Sequence, residues 1–115
     1  MPKDLILALF RAIDAGEWGS LAAVVHADVT YERPGYDRVT GIDELLRFYR
    51  ETRIIKSGTH QIEHIVADDT CGASWGKIVG TTKDGAEVNE AFSDVYEFED
   101  GKIRTRRSYF YRPCV

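Results

Sequence analysis

The stretch that decides the fold runs from Glu87 to Arg112: Glu-Val-Asn-Glu-Ala-Phe-Ser-Asp-Val-Tyr-Glu-Phe-Glu99, then Asp100-Gly101, then Lys-Ile-Arg-Thr-Arg-Arg-Ser-Tyr-Phe-Tyr-Arg112. Apolar and polar residues alternate on both sides of an Asp-Gly pair that tolerates positive φ, which predicts a tight hairpin. The period of two continues upstream. It predicts four long strands at residues 59–67, 71–82, 87–99 and 102–112, parted by turns at Asp68-Asp69, Asp84-Gly85 and Asp100-Gly101. Nearer the N-terminus the period changes. Leu5, Ile6, Leu9, Phe10 and Ile13 recur on one helical face, and Gly16 follows as a C-terminal cap. A second helix is predicted over residues 18–26 with Leu21, Val24 and Val25 apolar, and a short strand over 29–33 stopped by Pro34-Gly35. A third helix starts after Gly41, with Ile42, Leu45, Leu46 and Tyr49 on one face and Phe48 beside it. Helices first and an antiparallel meander after them predict a single α+β domain over residues 1–115. In it, three N-terminal helices pack on a curved antiparallel sheet that encloses a pocket.

Composition narrows the function classes. The 115 residues suit one domain, and 43% hydrophobic with 30% charged residues is an ordinary globular balance, unlike disorder. Fifteen Lys and Arg against nineteen Asp and Glu, net −4, argue against nucleic acid or an anionic membrane as partner, since both require a basic face. The run Arg104 to Arg107 alternates along a strand and reads as an ion-paired or solvated set. The longest apolar run, residues 5–10, is too short to span a bilayer. It follows Lys3 and Asp4 without a cleavage pattern, so a cytoplasmic protein is expected. Cys71 and Cys114 form neither a framework nor a zinc pattern, and two free thiols are expected over a disulfide. His60 and His64 share a strand face at a spacing able to hold a metal but lack a third ligand, so no metal is expected. His26 is expected to meet the last carbonyls of the second helix. No Ser-His-Asp set, phosphate loop or nucleotide fingerprint occurs, and no cofactor is expected.

Four segments carry a resemblance: Phe10-Arg-Ala-Ile-Asp-Ala-Gly16, Val29-Thr-Tyr-Glu-Arg-Pro34, Gly41-Ile-Asp-Glu-Leu-Leu-Arg-Phe-Tyr49 and Asp94-Val-Tyr-Glu-Phe-Glu-Asp-Gly-Lys-Ile103. With the element order, they resemble the nuclear transport factor 2-like superfamily in its ketosteroid isomerase and SnoaL-like cyclase branch, over nearly the whole chain. The superfamily holds isomerases, epoxide hydrolases, cyclases, dehydratases and pure binding proteins, so the resemblance implies a fold more firmly than a reaction. Carried over residue by residue, the isomerase's aspartate base in a Glu-Asp-Pro sequence becomes Arg33 in Glu32-Arg33-Pro34, and its first-helix tyrosine becomes Leu9. Its second pocket aspartate corresponds to Asp94 and its third-helix tyrosine to Tyr49. Limonene epoxide hydrolase carries Arg-Asp-Tyr-Phe-Asp where this chain has Arg107-Ser-Tyr-Phe-Tyr111, so both of its carboxylates are missing.

Strand alternation identifies the side chains that share a face. Val88, Glu90, Phe92, Asp94, Tyr96 and Phe98 form one side of residues 87–99, apolar but for two carboxylates, the profile of a cavity wall with embedded polar groups. Asp94 is the expected catalytic acid or base, unless it is ion-paired to Arg33 or Arg106. Glu90 is expected at the rim. Tyr31 and Arg33 share a face, and Arg33 is placed to clamp an anionic or carbonyl oxygen. The resemblance puts Arg104, Arg106, Ser108 and Phe110 inward on the last strand; composition favours the opposite face, Ile103, Thr105, Arg107, Tyr109 and Tyr111. Gly72, Ser74, Gly76 and Gly80 share a face that leaves room for a ligand or another layer, while Trp75, opposite, is expected to pack. The expected pocket thus holds Asp94, Tyr31, Arg33, Tyr49, Glu90, Tyr96, Arg106, Ser108 and Phe110. The resemblance implies a cofactor-free isomerase, cyclase or dehydratase acting on a mostly apolar carbonyl compound; a non-catalytic ligand-binding or assembly protein is the alternative. Apolar and aromatic residues on both faces of the last strands imply a homodimer paired through the outer sheet face.

Overall fold

The computed structural model describes residues 2–112, so Cys114 lies outside the described residues; Cys71 is exposed and free. Helix α1 (Pro2–Ala15) buries Ile6, Leu9, Phe10 and Ile13, the face its sequence period marks. Pro2 opens it, where a missing N–H costs nothing. It ends in a Schellman cap: Gly16 adopts φ +69°, its N–H donates to the Ile13 carbonyl, and the Glu17 N–H donates to that of Ala12. The second helix shrinks to a 3-10 segment, Trp18–Ala23, and the β-branched Val25 opens the extended chain of strand β1 (Val25–Glu32). A two-residue strand β2 (Val39–Thr40) follows, not anticipated from the sequence. Helix α2 (Ile42–Arg47) then runs into a single π turn, Phe48–Thr52. Strands β3 (Ile55–Ala67), β4 (Cys71–Thr82), β5 (Glu87–Glu99) and β6 (Lys102–Phe110) form the expected meander.

The turns work as their residues dictate. Asp100 and Gly101 both take positive φ, 54° and 71°, as a type I′ hairpin requires. At Asp68 one carboxylate oxygen accepts the N–H groups of Thr70 and Cys71, which turns the chain from β3 into β4. The six strands stand in the order β2-β1-β6-β5-β4-β3. One expectation is corrected: the sheet is mixed, because β1 lies parallel to β6 while every other pair is antiparallel. No hairpin joins β1 to β6, so connectivity does not force their relative direction. Close approach on the other side of the sheet curves β3 around the helices. A Cβ on Gly76 would stand 1.9 Å from the Gln61 carbonyl oxygen, and one on Gly80 would stand 2.0 Å from that of Ser57. These glycines therefore admit the neighbouring strand rather than a ligand. Among the described residues no helix is long and apolar enough to cross a membrane.

Candidate functional site

The face of β5 marked by alternation is the inner one: Val88, Glu90, Phe92, Asp94 and Tyr96 are all buried, with Asp94 only 1% exposed. On β6 neither reading of the faces holds along the whole strand. The register slips between Glu97 and Phe98, so that Ile103 points inward and, beyond the slip, Arg106 and Ser108 do, while Arg107 and Tyr109 face out. Asp94 sits opposite Ser108, and Tyr96 opposite Arg106. This juxtaposition settles Asp94's partner. Arg106 donates from Nε and Nη2 to Asp94 Oδ2 at 2.9 and 2.8 Å, and from Nη1 to the Tyr49 hydroxyl at 2.6 Å. The Arg106 guanidinium also lies 4.5 Å from the centre of the Tyr31 ring. Burial alone would favour its neutral form, but Asp94 and the surrounding tyrosines outweigh that and hold it protonated.

Hydroxyl groups link the rest. Tyr96 donates to Asp94 Oδ2 at 3.3 Å and bonds the Ser74 hydroxyl at 2.7 Å; the Tyr31 hydroxyl bonds that of Ser108 at 2.9 Å. Burial raises the hydroxyls of Tyr49 and Tyr96 above the ordinary tyrosine range, so both remain protonated and able to donate. All hydrogen bonds received by Asp94 converge on Oδ2, which leaves Oδ1 without a donor among the described residues. Arg33 reaches the cluster through Tyr31, to whose hydroxyl its Nη1 donates at 3.3 Å. Its guanidinium stands 5.0, 5.7 and 5.8 Å from the ring centres of Phe110, Phe48 and Tyr36. Glu90 accepts from Nε of the exposed Arg112 at 2.8 Å. Glu90, expected at the rim, is itself only 2% exposed and is joined to the surface through Arg112.

The model of the SnoaL-like domain family matches residues 6–106. The chain belongs to the SnoaL-like family. No curated protein matches this SnoaL-like chain in sequence. Among solved structures, an NTF2-like protein of unknown function from Burkholderia pseudomallei K96243 superposes with a TM-score of 0.85 at 18% identity, over 94% of this chain and 88% of that one. An LEH-like epoxide hydrolase from Mycobacterium tuberculosis gives 0.78 at 22% identity over 93% and 80%. The wild-type IdmH of Streptomyces antibioticus, a candidate polyketide cyclase, gives 0.79 at 18% identity over 96% and 92%. At such identities the likeness concerns the fold.

Two residues of this SnoaL-like interior escape a reading by strand alternation. Arg53 closes the π turn, is 5% exposed, and stands 5.2 and 5.8 Å from the ring centres of Tyr49 and Trp18. Extending the helical face Ile42, Leu45, Tyr49 by one more turn lands on it, a signal the sequence does contain. Asp14, one turn after Phe10, bonds His60, Nδ1 to Oδ1 at 2.5 Å, and accepts the His60 backbone N–H through Oδ2. His60 and His64 do not share a face. Glu63 is the extra residue of a bulge in β3, so His60 opposes the inward Ile78 whereas His64 opposes the outward Trp75 and packs on its ring. His26 lies in β1 rather than at a helix end and meets Asp100 at 3.4 Å. Arg104, Arg106 and Arg107 are each ion-paired, to Glu99, Asp94 and Glu32.

Proposed function

We propose that this SnoaL-like chain is a cofactor-free enzyme that moves a proton on a small, mostly apolar carbonyl compound, in the manner of an isomerase, cyclase or dehydratase. The observation that carries this reading is the asymmetry of Asp94. One oxygen is anchored by Arg106 and Tyr96, which fixes the carboxylate's orientation, while Oδ1 accepts no hydrogen bond from the described residues and is the atom that would take a substrate proton. Tyr31 and Tyr49 supply hydroxyl groups on the same interior, and Arg33 supplies positive charge toward an anionic group of the substrate. Ser108 and Phe110 complete the β6 side of the wall. The test is deuterium incorporation next to the carbonyl of 1-tetralone and 2-tetralone in D2O, followed by NMR. The wild type is expected to exceed the buffer rate, and Asp94→Asn to lose about two to four orders of magnitude of that excess. A wild-type rate equal to buffer overturns the proposal.

A second reading, a ligand-binding or assembly protein without chemistry, is favoured by how closely the interior is filled: Tyr31, Tyr96, Asp94 and Ser74 are each less than 2% exposed. For either reading we place a homodimer contact on the outer sheet face, where Trp75, Val95 and Tyr109 are 38%, 41% and 47% exposed.

A further inference from the structure

Among the described residues the interior between sheet and helices gathers three guanidinium groups but pairs only one of them. Arg106 has Asp94. Asp14 is engaged with His60, and Glu90 with Arg112. Arg33 and Arg53, 7% and 5% exposed, form no ion pair among the described residues. Nε and Nη2 of Arg33 and Nε of Arg53 are buried without an acceptor among the described residues. The rings around the two guanidinium groups offset part of the lost hydration but accept no strong hydrogen bond. A buried cation left in this state costs stability, and a complementary anion would restore it.

The pattern of free donors specifies the anion. In an arginine, Nε–H and Nη2–H point the same way and form the edge that holds a carboxylate. Arg106 uses that edge on Asp94. Arg33 has the same edge free, while its Nη1 is tied to Tyr31. Phe48, Tyr36 and Phe110 surround the Arg33 guanidinium, and Arg33 lines an open cleft of about 480 Å³ together with Glu32, Pro34, Tyr36, Arg38 and Ser108, so a ligand entering there has only a side-chain shift to make before it meets the buried edge. Arg53 joins the same aromatic cluster, since Phe48 and Tyr49 are 5.3 Å apart and the Arg53 guanidinium lies 5.2 Å from the Tyr49 ring centre. We propose that the ligand of this protein is an organic carboxylate with an apolar or aromatic body, its carboxylate held by the Nε and Nη2 edge of Arg33 and its charge further balanced by Arg53. This rests on the small-molecule reading above and adds the charge of the substrate to it.

The experiment titrates phenylacetate, cyclohexanecarboxylate and octanoate, each against its own amide, by calorimetry at constant ionic strength. At least one carboxylate is expected to bind about tenfold or more tightly than its amide. Arg33→Gln is expected to remove that preference, and Arg53→Gln to weaken it. Both variants are expected to melt no lower than the wild type without ligand, because each removes an unpaired buried charge. Should Arg33→Gln fail to fold, Arg33→Lys keeps the charge without the fork and is expected to bind more weakly than the wild type. Equal binding of acid and amide overturns the assignment and leaves a neutral small-molecule site. A carboxylate preference that survives in both Gln variants, or melting well below the wild type in both, also overturns it. Failure of every acid and amide to bind overturns this inference together with the small-molecule reading. Carboxylate binding without any deuterium exchange removes only the enzymatic reading.

Discussion

At Asp94 the structure makes a thermodynamic demand as well as a chemical one. The carboxylate and Arg106 are 1% and 6% exposed, and Arg106 is held protonated, so loss of the carboxylate strands a cation that burial alone cannot neutralise. Asp94→Asn is therefore expected to lower the unfolding free energy by about 3–5 kcal/mol, read by urea denaturation; a loss below about 1 kcal/mol would show the charge to be balanced elsewhere. Asp94→Glu, which retains the charge, separates this effect from proton transfer in the exchange assay. At His60, burial outweighs the pull of Asp14 and pushes the imidazole below its ordinary 6.5, with the charge of Arg106 acting in the same direction and that of Asp94 against it. The unfolded chain then takes up a proton near 6.5 that the folded chain refuses. This contribution is complete above that pH and declines as pH falls toward the lowered value. Stability measured by urea at pH 7, 6 and 5 should fall, and His60→Gln should flatten the slope. An unchanged slope would place the titration on other groups. The inward position of Asp94 was legible because alternation is local. Its partner was not, because Arg33, just past the end of β1, and Arg106, on β6, both reach the same interior.

Along β3 and β4 the glycines act through backbone contact. Gly76→Ala and Gly80→Ala would push a methyl group into the Gln61 and Ser57 carbonyls, and the strands would have to separate. Each is expected to cost about 1–3 kcal/mol or more, against little change for Gly19→Ala, where nothing lies within 4 Å of the added Cβ. Thermal melting of the three variants decides this; comparable melting would mean that β3 yields freely. The turns were readable from Asp68, Asp84-Gly85 and Asp100-Gly101 because turn chemistry resides in two or three adjacent residues. The bulges at Glu63 and beside Phe98 were not, since an extra residue leaves no compositional mark. The first slip parted His64 from the face of His60, and the second split β6 between its two expected faces, with Ile103 inward before it and Arg106 and Ser108 inward beyond it.

For the molecule as a whole, the outer face of β4, β5 and β6 sets the oligomeric prediction. Trp75 stands opposite Ser93, which stands opposite Tyr109, with Val95 on the adjacent row, so the exposed apolar groups form one patch. A homodimer is expected at micromolar concentration by light scattering, and Val95→Glu or Tyr109→Glu should yield a monomer with little loss of folded stability. A monomeric wild type would overturn this. Helix α1, the β3–β6 meander, its three turns and the inner face of β5 were legible in the sequence, because each follows from spacing within one segment. The tertiary structure alone decided that β1 runs parallel to β6, that Arg106 rather than Arg33 takes Asp94, and that Arg33 and Arg53 are buried without a counterion among the described residues. Tyr31 and Arg106 are far apart in the chain yet adjacent in register, and Tyr49 and Arg53 come from a helical turn on another layer. Which charges are neutralised depends on distances among all of these, and no periodicity within a single segment encodes such distances.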